Sequence, residues 1–332
     1  MRTYFIAEAG LCHNGSVDLA KKMIDVAIKC GADAVKFQKR DVSSMATKDI
    51  LDQPFTNFPS MGKTYREVRE HLELTKEEYH QLRDYCLGKI DFIVTPFDII
   101  SVAFLDDLNV DGIKIAAHSL TDVPVLEEIA KRDKPVYLST GMSTWEDIDR
   151  AVIILEKLPL TIMHCVSQYP MNVECANLPM ISELEDCYPD YRIGWSDHQH
   201  GISLCVAGIA LGAEVVEKHF TLDHTMEGFD HSFSLDPIGL QRCIRNIREM
   251  EQAMVLHEKQ PMAEEMDCFF NYRRTIVSTQ DIPKGVVITR EMLTTKAPNR
   301  GLSPSYIPDL IGKKALVDIP ADTHIEFGMV GM

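Results

Sequence analysis

Short, nearly continuous apolar runs alternate with amphipathic segments along most of the chain. Eight runs rich in β-branched residues end in polar clusters: Thr3–Glu8, Ala34–Gln38, Asp91–Thr95, Gly112–Ile115, Pro135–Ser139, Leu160–His164, Arg192–Ser196 and Val215–His219. Helical patterns separate them, for example at Ser16–Cys30, Ile99–Leu108, Asp122–Arg132, Thr144–Leu158, Ile202–Leu211 and Gly239–Met254. Such alternation is typical of buried parallel strands joined by helical crossovers. Eight units within residues 1–256 predict an α/β fold, a closed (β/α)8 TIM barrel.

In a barrel of this kind the reactive groups lie at the carboxyl ends of the strands. Here those ends carry Glu8, Lys36, Gln38, Thr95, Lys114, Ser139, His164, Ser196, His198 and His219. Core strands seldom end in so many charged and hydrogen-bonding groups without a functional reason. The sequence therefore predicts an enzyme.

Composition limits the cellular location and the partners that we expect for this protein. A formal net charge of −16 argues against a nucleic-acid surface, although lysines gathered in a barrel mouth can still attract an anionic substrate. The nine cysteines are scattered and lack C-x-x-C spacing, which is typical of reduced thiols. No apolar run approaches the ~20 residues that span a bilayer, and no signal-peptide pattern is evident. We therefore expect a cytoplasmic protein with no membrane and no nucleic-acid partner.

The pattern changes after the last barrel helix. Residues 257–272 lack clear periodicity and are predicted to form a linker. Residues 273–332 are predicted to form a small β-rich domain, because Asp281–Ile288 and Asp318–Ile325 share an Asp-Ile-Pro turn followed by a short strand. Another irregular stretch, Asp41–Tyr65, follows the second strand. It is long for a barrel loop, which favours a functional role.

Two histidines are the residues that most specifically indicate a functional site. His198 and His219 each follow the end of a strand, and the two strands are neighbours in the predicted barrel. Neutral imidazoles placed side by side suit a divalent transition metal whose remaining ligands come from water or substrate. Two alternatives stay open: the two histidines are ordinary hydrogen-bonded loop residues, or His200 or His231 is a ligand instead.

Two lysines at strand ends predict an anionic ligand. Lys36 and Lys114 would point into the barrel, where a buried ammonium group needs an anion. We expect hydroxyl groups at other strand ends to contribute to binding the same phosphate or carboxylate: those of Thr95, Ser139 and Ser196. The alternative is a structural ion pair between one lysine and Glu8 or Glu217. Glu8 itself can orient water, act as a base or balance the positive charges.

Several motifs together resemble the sialic acid synthase family. The matching segments are Ile6–Gly10, His13–Gly15, Ala34–Gln38, Thr95–Asp98, Ser139–Met142, Ser196–His198, Glu217–Thr221 and Gly228–Ser234. The final domain resembles the antifreeze-like (SAF) domain that members of this family append. The resemblance is collinear and covers essentially the whole chain, which makes a chance match a poor explanation.

The resemblance implies condensation of phosphoenolpyruvate with an N-acetylmannosamine-type amino-sugar aldehyde, giving a nine-carbon 2-keto sugar acid and phosphate. It implies that His198 and His219 hold Mn²⁺ or Mg²⁺ and that Glu8 manages the water or proton. The implied phosphoenolpyruvate ligands are Lys36, Thr95, Lys114, Ser139 and Ser196. The implied sugar-facing residues are Gln38, Tyr169 and Asp230. It further implies a domain-swapped homodimer in which Ala297–Leu302 of one chain lines the acceptor pocket of the other.

The departures from the family pattern fall on the acceptor side. After Lys114 the family reads Ile-Gly-Ser-Gly and an acidic residue, whereas this chain has Ile115–Ser119; His118 or Ser119 is a candidate replacement. Ser167 stands where an asparagine is usual. Arg300 is the candidate for the terminal-domain arginine that reaches the acceptor's acyl group. The reaction type is therefore better predicted than the sugar.

Other functions remain open at this point. A related nonulosonate synthase could use a legionaminate or pseudaminate precursor or a phosphorylated sugar as acceptor. A non-catalytic sugar-phosphate-binding protein would keep the barrel and lose the chemistry. A metal-dependent barrel hydrolase usually has His-x-His on its first strand, whereas the first strand here offers only Glu8.

Overall fold

Eight parallel strands form a closed barrel in a computed structural model that describes residues 2–331. They are β1 (Tyr4–Gly10), β2 (Ala34–Lys39), β3 (Asp91–Pro96), β4 (Gly112–Ile115), β5 (Val136–Ser139), β6 (Leu160–Cys165), β7 (Arg192–Asp197) and β8 (Val215–His219). Each strand pairs with the next one along the chain, and β8 closes the barrel on β1. The TIM barrel predicted from the sequence is confirmed, with strand ends within two residues of those predicted.

Helices fill the connections between the strands, and one more helix follows β8. They are α1 (Val17–Cys30), α2 (Lys48–Leu51), α3 (Tyr65–Leu72), α4 (Lys76–Cys86), α5 (Ile99–Leu108), α6 (Val123–Ile129), α7 (Trp145–Leu155), α8 (Met180–Cys187), α9 (Ser203–Ala210) and α10 (Pro237–Ala253). The irregular stretch after β2 includes α2 and leads into α3. Within residues 2–331, no helix has both the length and the apolar character needed to cross a bilayer.

The start of α3 is fixed by local hydrogen bonds. Thr64 accepts a hydrogen bond from the Glu67 backbone, and the Glu67 carboxylate accepts one from the Thr64 backbone, which forms a capping box. Val68 and Leu72 bury the inner face of α3. This helix is therefore held firmly beside the barrel mouth.

Alternation along the strands separates two apolar cores. Inward-facing side chains fill the amino end of the barrel: Ile6, Ala34, Ile93, Tyr137, Met163 and Val215. Outward-facing side chains such as Phe5, Phe37, Phe92 and Trp195 pack in the larger core between strands and helices. Because these inward-facing apolar side chains occupy only the amino end of the barrel, the carboxyl end is lined by polar inward-facing groups.

The chain after Val255 forms a second unit. It contains α11 (Met266–Tyr272), the antiparallel pair β9 (Thr275–Ser278) and β10 (Leu293–Lys296), and α12 (Ile307–Leu310). Its core residues include Ile276, Ile282, Ile288, Leu293, Leu302, Leu310, Ile319 and Ile325. The β-rich SAF-type fold predicted for residues 273–332 is confirmed, and the match to the SAF domain covers residues 273–330. Met1 and Met332, which bound the two predicted domains, lie outside the described residues.

The internal repeat of the second unit is a structural pair. Ile282 and Ile319 exchange backbone hydrogen bonds of 2.8 and 2.9 Å. The aspartates that precede them play matching roles: Asp281 accepts from the Ala321 backbone and Asp318 from the Lys284 backbone, each at 2.7 Å. The two Asp-Ile-Pro turns are therefore hydrogen-bonded to each other.

The stretch predicted as a linker, residues 257–272, has local structure of its own. A turn of 3-10 helix at Ala263–Glu265 leads directly into α11. Acidic residues at the start of a helix are favoured by the helix dipole, and this stretch has Glu264, Glu265 and Asp267 there. The linker prediction rested on the lack of apolar periodicity, which gives no information about acidic residues at the start of a helix.

A candidate active site at the carboxyl ends of the barrel strands

A cavity of about 830 Å³ opens at the carboxyl ends of the strands. All but one of the site residues predicted from the sequence line it: Glu8, Lys36, Gln38, Thr95, Lys114, Ser139, Ser167, Tyr169, Ser196, His198, His219 and Asp230. The remaining one, Arg300, is an exposed residue of the second unit. The structure therefore brings the predicted barrel residues together, while their individual roles stay predictions.

Strand register explains the convergence. Residues two apart on a strand point to the same face, so Lys36 and Gln38 on β2 project together, as do Glu217 and His219 on β8. Strand pairing sets Glu8 on β1 opposite Lys36 on one side and opposite His219 on the other. These five side chains consequently meet on one part of the inner wall.

Lys36 lies between two carboxylates. Its ammonium is 2.8 Å from Glu8 Oε2 and 3.5 Å from Glu217 Oε1, and it donates a 3.0 Å hydrogen bond to Thr95 Oγ1. Burial lowers the pKa of Lys36, but Glu217 and Glu8 outweigh burial and the net shift is upward. The ion pair considered as an alternative is thus present, and it involves both acidic residues.

Lys114 is compensated less well, because burial lowers the pKa of its ammonium by more than the charge of Glu217 raises it. Its ammonium donates to Ser139 Oγ at 2.5 Å and to the Ile115 carbonyl at 3.0 Å. Among the described residues, no carboxylate lies within ion-pair distance of it, and burial lowers the pKa of its ammonium. A buried cation that has only neutral partners is a site prepared for an anion.

A hydrogen-bonded chain fixes Glu8. Gln38 Nε2 donates to Glu8 Oε1 at 2.7 Å, and Arg40 donates to Gln38 Oε1 at 2.7 Å. The other carboxylate oxygen of Glu8 faces Lys36. Because both oxygens have partners, the Glu8 carboxylate is held in one orientation at the cavity wall.

The two predicted metal ligands face each other. The ring centroids of His198 and His219 are 5.6 Å apart. His198 Nδ1 lies 2.8 Å from the Val166 carbonyl, which can only accept, so Nδ1 carries the proton and Nε2 keeps a free lone pair. His219 Nδ1 is buried without a hydrogen-bond partner among the described residues.

Both rings are neutral. Burial, and then the charge of His219, lowers the pKa of His198 to about 3. Burial, and then the charge of Lys36, lowers the pKa of His219 to about 3. Neutral imidazoles are the form that binds metal ions. Within residues 2–331 no group of three or more His, Cys, Asp or Glu has metal-binding geometry, so any ion held here would complete its shell with other oxygens.

Asp230 approaches the histidines through a gap left by a glycine. Its Oδ2 accepts a 3.0 Å hydrogen bond from the Leu11 backbone and lies 3.9 Å from His219 Nδ1. Gly10 has φ +53°, and a Cβ there would lie 2.5 Å from Asp230 Oδ2. Both observations favour glycine at position 10.

Tyr169 and Ser167, which the sequence places on the predicted acceptor side, also line the cavity. The Tyr169 ring centroid lies 4.1 Å from that of His198, and half of the residue's surface (51%) is exposed. The hydroxyl of Ser167 is buried and has no partner among the described residues. His118 and Ser119, the candidate replacements, also line the cavity, and the His118 ring stacks on Phe97 at 4.9 Å.

The other candidates lie outside this arrangement. His200 is exposed. Both ring nitrogens of His231 have partners, Thr221 Oγ1 at 2.7 Å and Asn14 Oδ1 at 3.2 Å. His164 contacts the Ala176 carbonyl at 2.9 Å. These contacts favour structural roles for His164 and His231.

Two arginines at the cavity wall were not among the predicted site residues. Arg40 follows β2 directly, and Arg69 lies on α3. The length of the Asp41–Tyr65 stretch indicated that this connection is functional, but it could not identify a residue beyond it. Only the packing of α3 brings Arg69 to the cavity.

Comparisons with known proteins agree with this geometry. A family model described as the NeuB family matches residues 23–259, and one described as the SAF domain matches residues 273–330. The chain is 38% identical over 327 residues to the N-acetylneuraminate-9-phosphate synthase of Homo sapiens, covering 97% of this chain and 91% of that one. It is 34% identical over 331 residues to the N,N'-diacetyllegionaminic acid synthase of Campylobacter jejuni, covering 98% and 99%.

A solved structure is similar as well. The crystal structure of the N-acetylneuraminic acid (sialic acid) synthetase of Leptospira borgpetersenii, in complex with citrate, matches with a TM-score of 0.70 and 33% identity. The match covers 80% of this chain and 90% of that chain. The family match, the two relatives and this structure agree. The chain therefore belongs to the NeuB family and is an enzyme related to the sialic acid synthases.

Proposed function

We propose that this enzyme condenses phosphoenolpyruvate with the open-chain aldehyde of an N-acetylmannosamine-type amino sugar. The products are a nine-carbon 2-keto sugar acid and inorganic phosphate. One observation carries the proposal: Lys114, a buried cation without a carboxylate partner, shares a cavity with the neutral pair His198 and His219. The first group suits an anionic donor and the second suits an activated carbonyl.

The donor would bind around Lys114. Its phosphate or carboxylate would replace the missing counter-ion, and the hydroxyl of Ser139 already points at the same ammonium. Thr95 and Ser196 offer further hydroxyls close to Lys36 and Glu217. Charge-assisted hydrogen bonds of this kind are stronger than neutral ones.

His198 and His219 would hold a divalent metal ion. Two imidazole nitrogens suit Mn²⁺ better than Mg²⁺, which prefers an all-oxygen shell. When bound, the ion would supply Lewis-acid polarisation of the aldehyde. The protein's part is to keep both rings neutral by burial and to orient His198 through the Val166 carbonyl.

The remaining chemistry follows from the bonds that change. Carbon 3 of phosphoenolpyruvate attacks the aldehyde carbon, and the aldehyde oxygen takes a proton and becomes a hydroxyl. Water adds to carbon 2 and loses a proton. The bond between carbon 2 and the phosphate oxygen then breaks while the new hydroxyl on carbon 2 gives its proton to the departing phosphate, which leaves a ketone. Glu8, held between Gln38 and Lys36, is placed to orient the water and receive its proton.

Gln38, Tyr169, Ser167 and Asp230 would orient the acceptor. The relatives leave its phosphorylation open, since the human synthase is named for a 9-phosphate and the Campylobacter synthase is not. The cysteines within residues 2–331 are free thiols, which supports our proposal that the reaction takes place in the cytoplasm.

The test is release of inorganic phosphate from phosphoenolpyruvate with a panel of N-acetylhexosamines and Mn²⁺. We expect release only when sugar and metal are both present. His219→Ala should abolish release and keep a cooperative thermal transition, whereas the exposed His200→Ala should retain activity. Release without sugar would indicate a hydrolase, and no release with any sugar would indicate a binding protein.

A further inference from the structure

Arg40 is held by three side chains just after the end of β2. Its guanidinium stacks 4.2 Å from the Phe97 ring centroid, and its Nη1 lies 3.3 Å from Glu73 Oε1. Its Nη2 donates a 2.7 Å hydrogen bond to Gln38 Oε1. Only 5% of the residue's surface is exposed. The guanidinium is therefore fixed in one orientation.

Glu73 anchors this arginine from the end of α3. The residue follows the helix directly. Its Oε2 accepts hydrogen bonds from Lys39 Nζ at 2.9 Å and from the Arg40 backbone at 3.4 Å, while its Oε1 faces the Arg40 guanidinium. One carboxylate thus binds the backbone and both side chains at the end of β2.

The amide of Gln38 lies between a group that only donates hydrogen bonds and a group that only accepts them. A guanidinium has no acceptor, and the carboxylate of Glu8, ion-paired with Lys36, has no donor. Gln38 Oε1 must therefore face Arg40, and Gln38 Nε2 donates to Glu8 Oε1 at 2.7 Å. Arg40 consequently determines which way the amide faces.

Without Arg40 the amide could turn over. Its oxygen would then face the Glu8 carboxylate, and two acceptors in contact repel each other. Among residues 2–331, Lys36 would be the remaining partner of Glu8, and Lys36 is shared with Glu217. The orientation of Glu8 therefore depends on a residue that does not touch it.

We propose that Arg40 is a positioning residue that acts through the Gln38 amide to hold the Glu8 carboxylate where it receives the proton of the attacking water. This inference rests on the proposed function and deepens it, because it adds a residue that was not among the predicted site residues. Glu73 and Phe97 would contribute by keeping the guanidinium in place.

Arg40 also carries a charge toward Asp230. Burial raises the pKa of Asp230, and the Leu11 backbone hydrogen bond and the charge of Arg40 lower it by less. A charge that acts on Asp230 does not depend on the side chain at position 38, whereas the proposed role requires the Gln38 amide. Removing that amide therefore separates the two effects.

The experiment is a double-mutant cycle with Arg40→Met and Gln38→Leu, followed by phosphate release at saturating phosphoenolpyruvate and sugar. We expect Arg40→Met alone to lower kcat at least about ten-fold, because it leaves Gln38 Oε1 without its donor. The KM for phosphoenolpyruvate should not change. In the Gln38→Leu enzyme, Arg40→Met should have little further effect, because the amide through which it acts is gone.

The matched control is Lys39→Met. Lys39 shares Glu73 with Arg40, but it does not line the cavity and does not contact the Gln38 amide. This variant should keep kcat close to that of the natural enzyme. An equal loss of kcat from Arg40→Met in both backgrounds would overturn the inference, as would a raised KM for phosphoenolpyruvate with kcat unchanged.

A second readout needs no turnover and decides the matter if Gln38→Leu is inactive. In enzyme labelled with ¹⁵N-glutamine, the Gln38 side-chain signal is identified by its absence from the NMR spectrum of Gln38→Leu. One of its amide protons should be shifted downfield by the charge-assisted bond to Glu8. The shift should be lost in Arg40→Met and kept in Lys39→Met.

The outcomes distinguish this inference from the proposed function. A Gln38 signal that is the same in Arg40→Met and the natural enzyme would overturn the inference even if the condensation takes place. Absence of phosphate release from the natural enzyme would overturn the proposed function, and the role of Glu8 as proton acceptor with it. The NMR signal would then still show whether Arg40 orients the amide.

Discussion

The ammonium of Lys218 lies 2.7 Å from the carboxylate of Asp197, and both side chains are almost completely buried. Asp197 precedes His198 and Lys218 precedes His219, so the pair lies on the outer face of β7 and β8, directly behind the histidines. Lys218 also donates to the Gln199 carbonyl, and Asp197 accepts from the Gln199 backbone at 3.0 Å. This ion pair therefore ties together the two strand ends that carry the proposed metal ligands.

Breaking this pair should weaken the proposed metal site. In Lys218→Met the buried carboxylate of Asp197 loses its partner, which typically costs about 3–5 kcal/mol of stability. Lys218→Met combined with Asp197→Leu should regain much of that stability, because no charge is then left unpaired. Mn²⁺ affinity, measured by electron paramagnetic resonance, should stay about 10- to 100-fold weaker in the double variant.

The control for this prediction is an ion pair far from the histidines. Arg248 pairs with Asp33 at 2.8 Å, and Asp33 lies at the amino ends of the strands. Arg248→Met should lower the thermal midpoint and leave Mn²⁺ affinity unchanged. If the stable double variant bound Mn²⁺ as tightly as the natural enzyme, the ion pair would have no role in positioning the ligands.

The two lysines should respond differently to substitution. Lys114→Met removes the cation that has no carboxylate partner, so phosphoenolpyruvate affinity should fall at least about ten-fold with little loss of stability. Lys36→Met leaves Glu8 and Glu217 without their shared cation, so it should lower the thermal midpoint as well as donor affinity. Calorimetric titration and thermal unfolding of both variants separate these effects. Unchanged donor affinity in Lys114→Met would place the donor elsewhere.

A buried histidine should make stability depend on pH. Burial, and then the charges of Arg40 and His231, lowers the pKa of His13 to about 4. In an unfolded chain the pKa of a histidine is about 6.5. Between these values the unfolded state binds more protons, so stability falls as the pH falls. From about pH 7.5 to about pH 5 this group should remove about 2 kcal/mol.

Other buried histidines contribute in the same direction, so the test is a difference. Urea unfolding of the natural enzyme and of His13→Gln at both pH values gives two changes in the free energy of unfolding. The natural enzyme should lose about 2 kcal/mol more than the variant. An identical loss in both proteins would show that His13 does not titrate as its burial requires.

The sequence predicts the barrel and its inward-facing residues because parallel strands alternate and end at a common edge. It does not reveal how charges are shared there. Lys36 meets both Glu8 and Glu217 only because β1, β2 and β8 pair in a particular register. Arg69 was missed for a different reason: its place depends on the packing of α3, which apolar periodicity in the preceding loop did not indicate.

A separate prediction is that the SAF domain of one subunit completes the active site of the other subunit. We expect a homodimer in which residues 297–302 of one chain line the acceptor pocket of the other. Mixing a His219→Ala chain with a chain truncated before Arg273 should restore activity, because the truncated chain supplies the intact barrel and its partner supplies the SAF domain. No activity, with heterodimers shown to form, would mean that each chain completes its own site.

The proposed condensation is tested most directly by following the oxygen that bridges carbon 2 and phosphorus in phosphoenolpyruvate. The donor is labelled with ¹⁸O at that atom and incubated with the accepted amino sugar and Mn²⁺, and the products are analysed by mass spectrometry. We predict a nine-carbon keto acid formed in equal amount to phosphate, with the label in the phosphate, because the carbon–oxygen bond breaks. Labelled pyruvate formed without incorporation of the sugar would contradict the proposal.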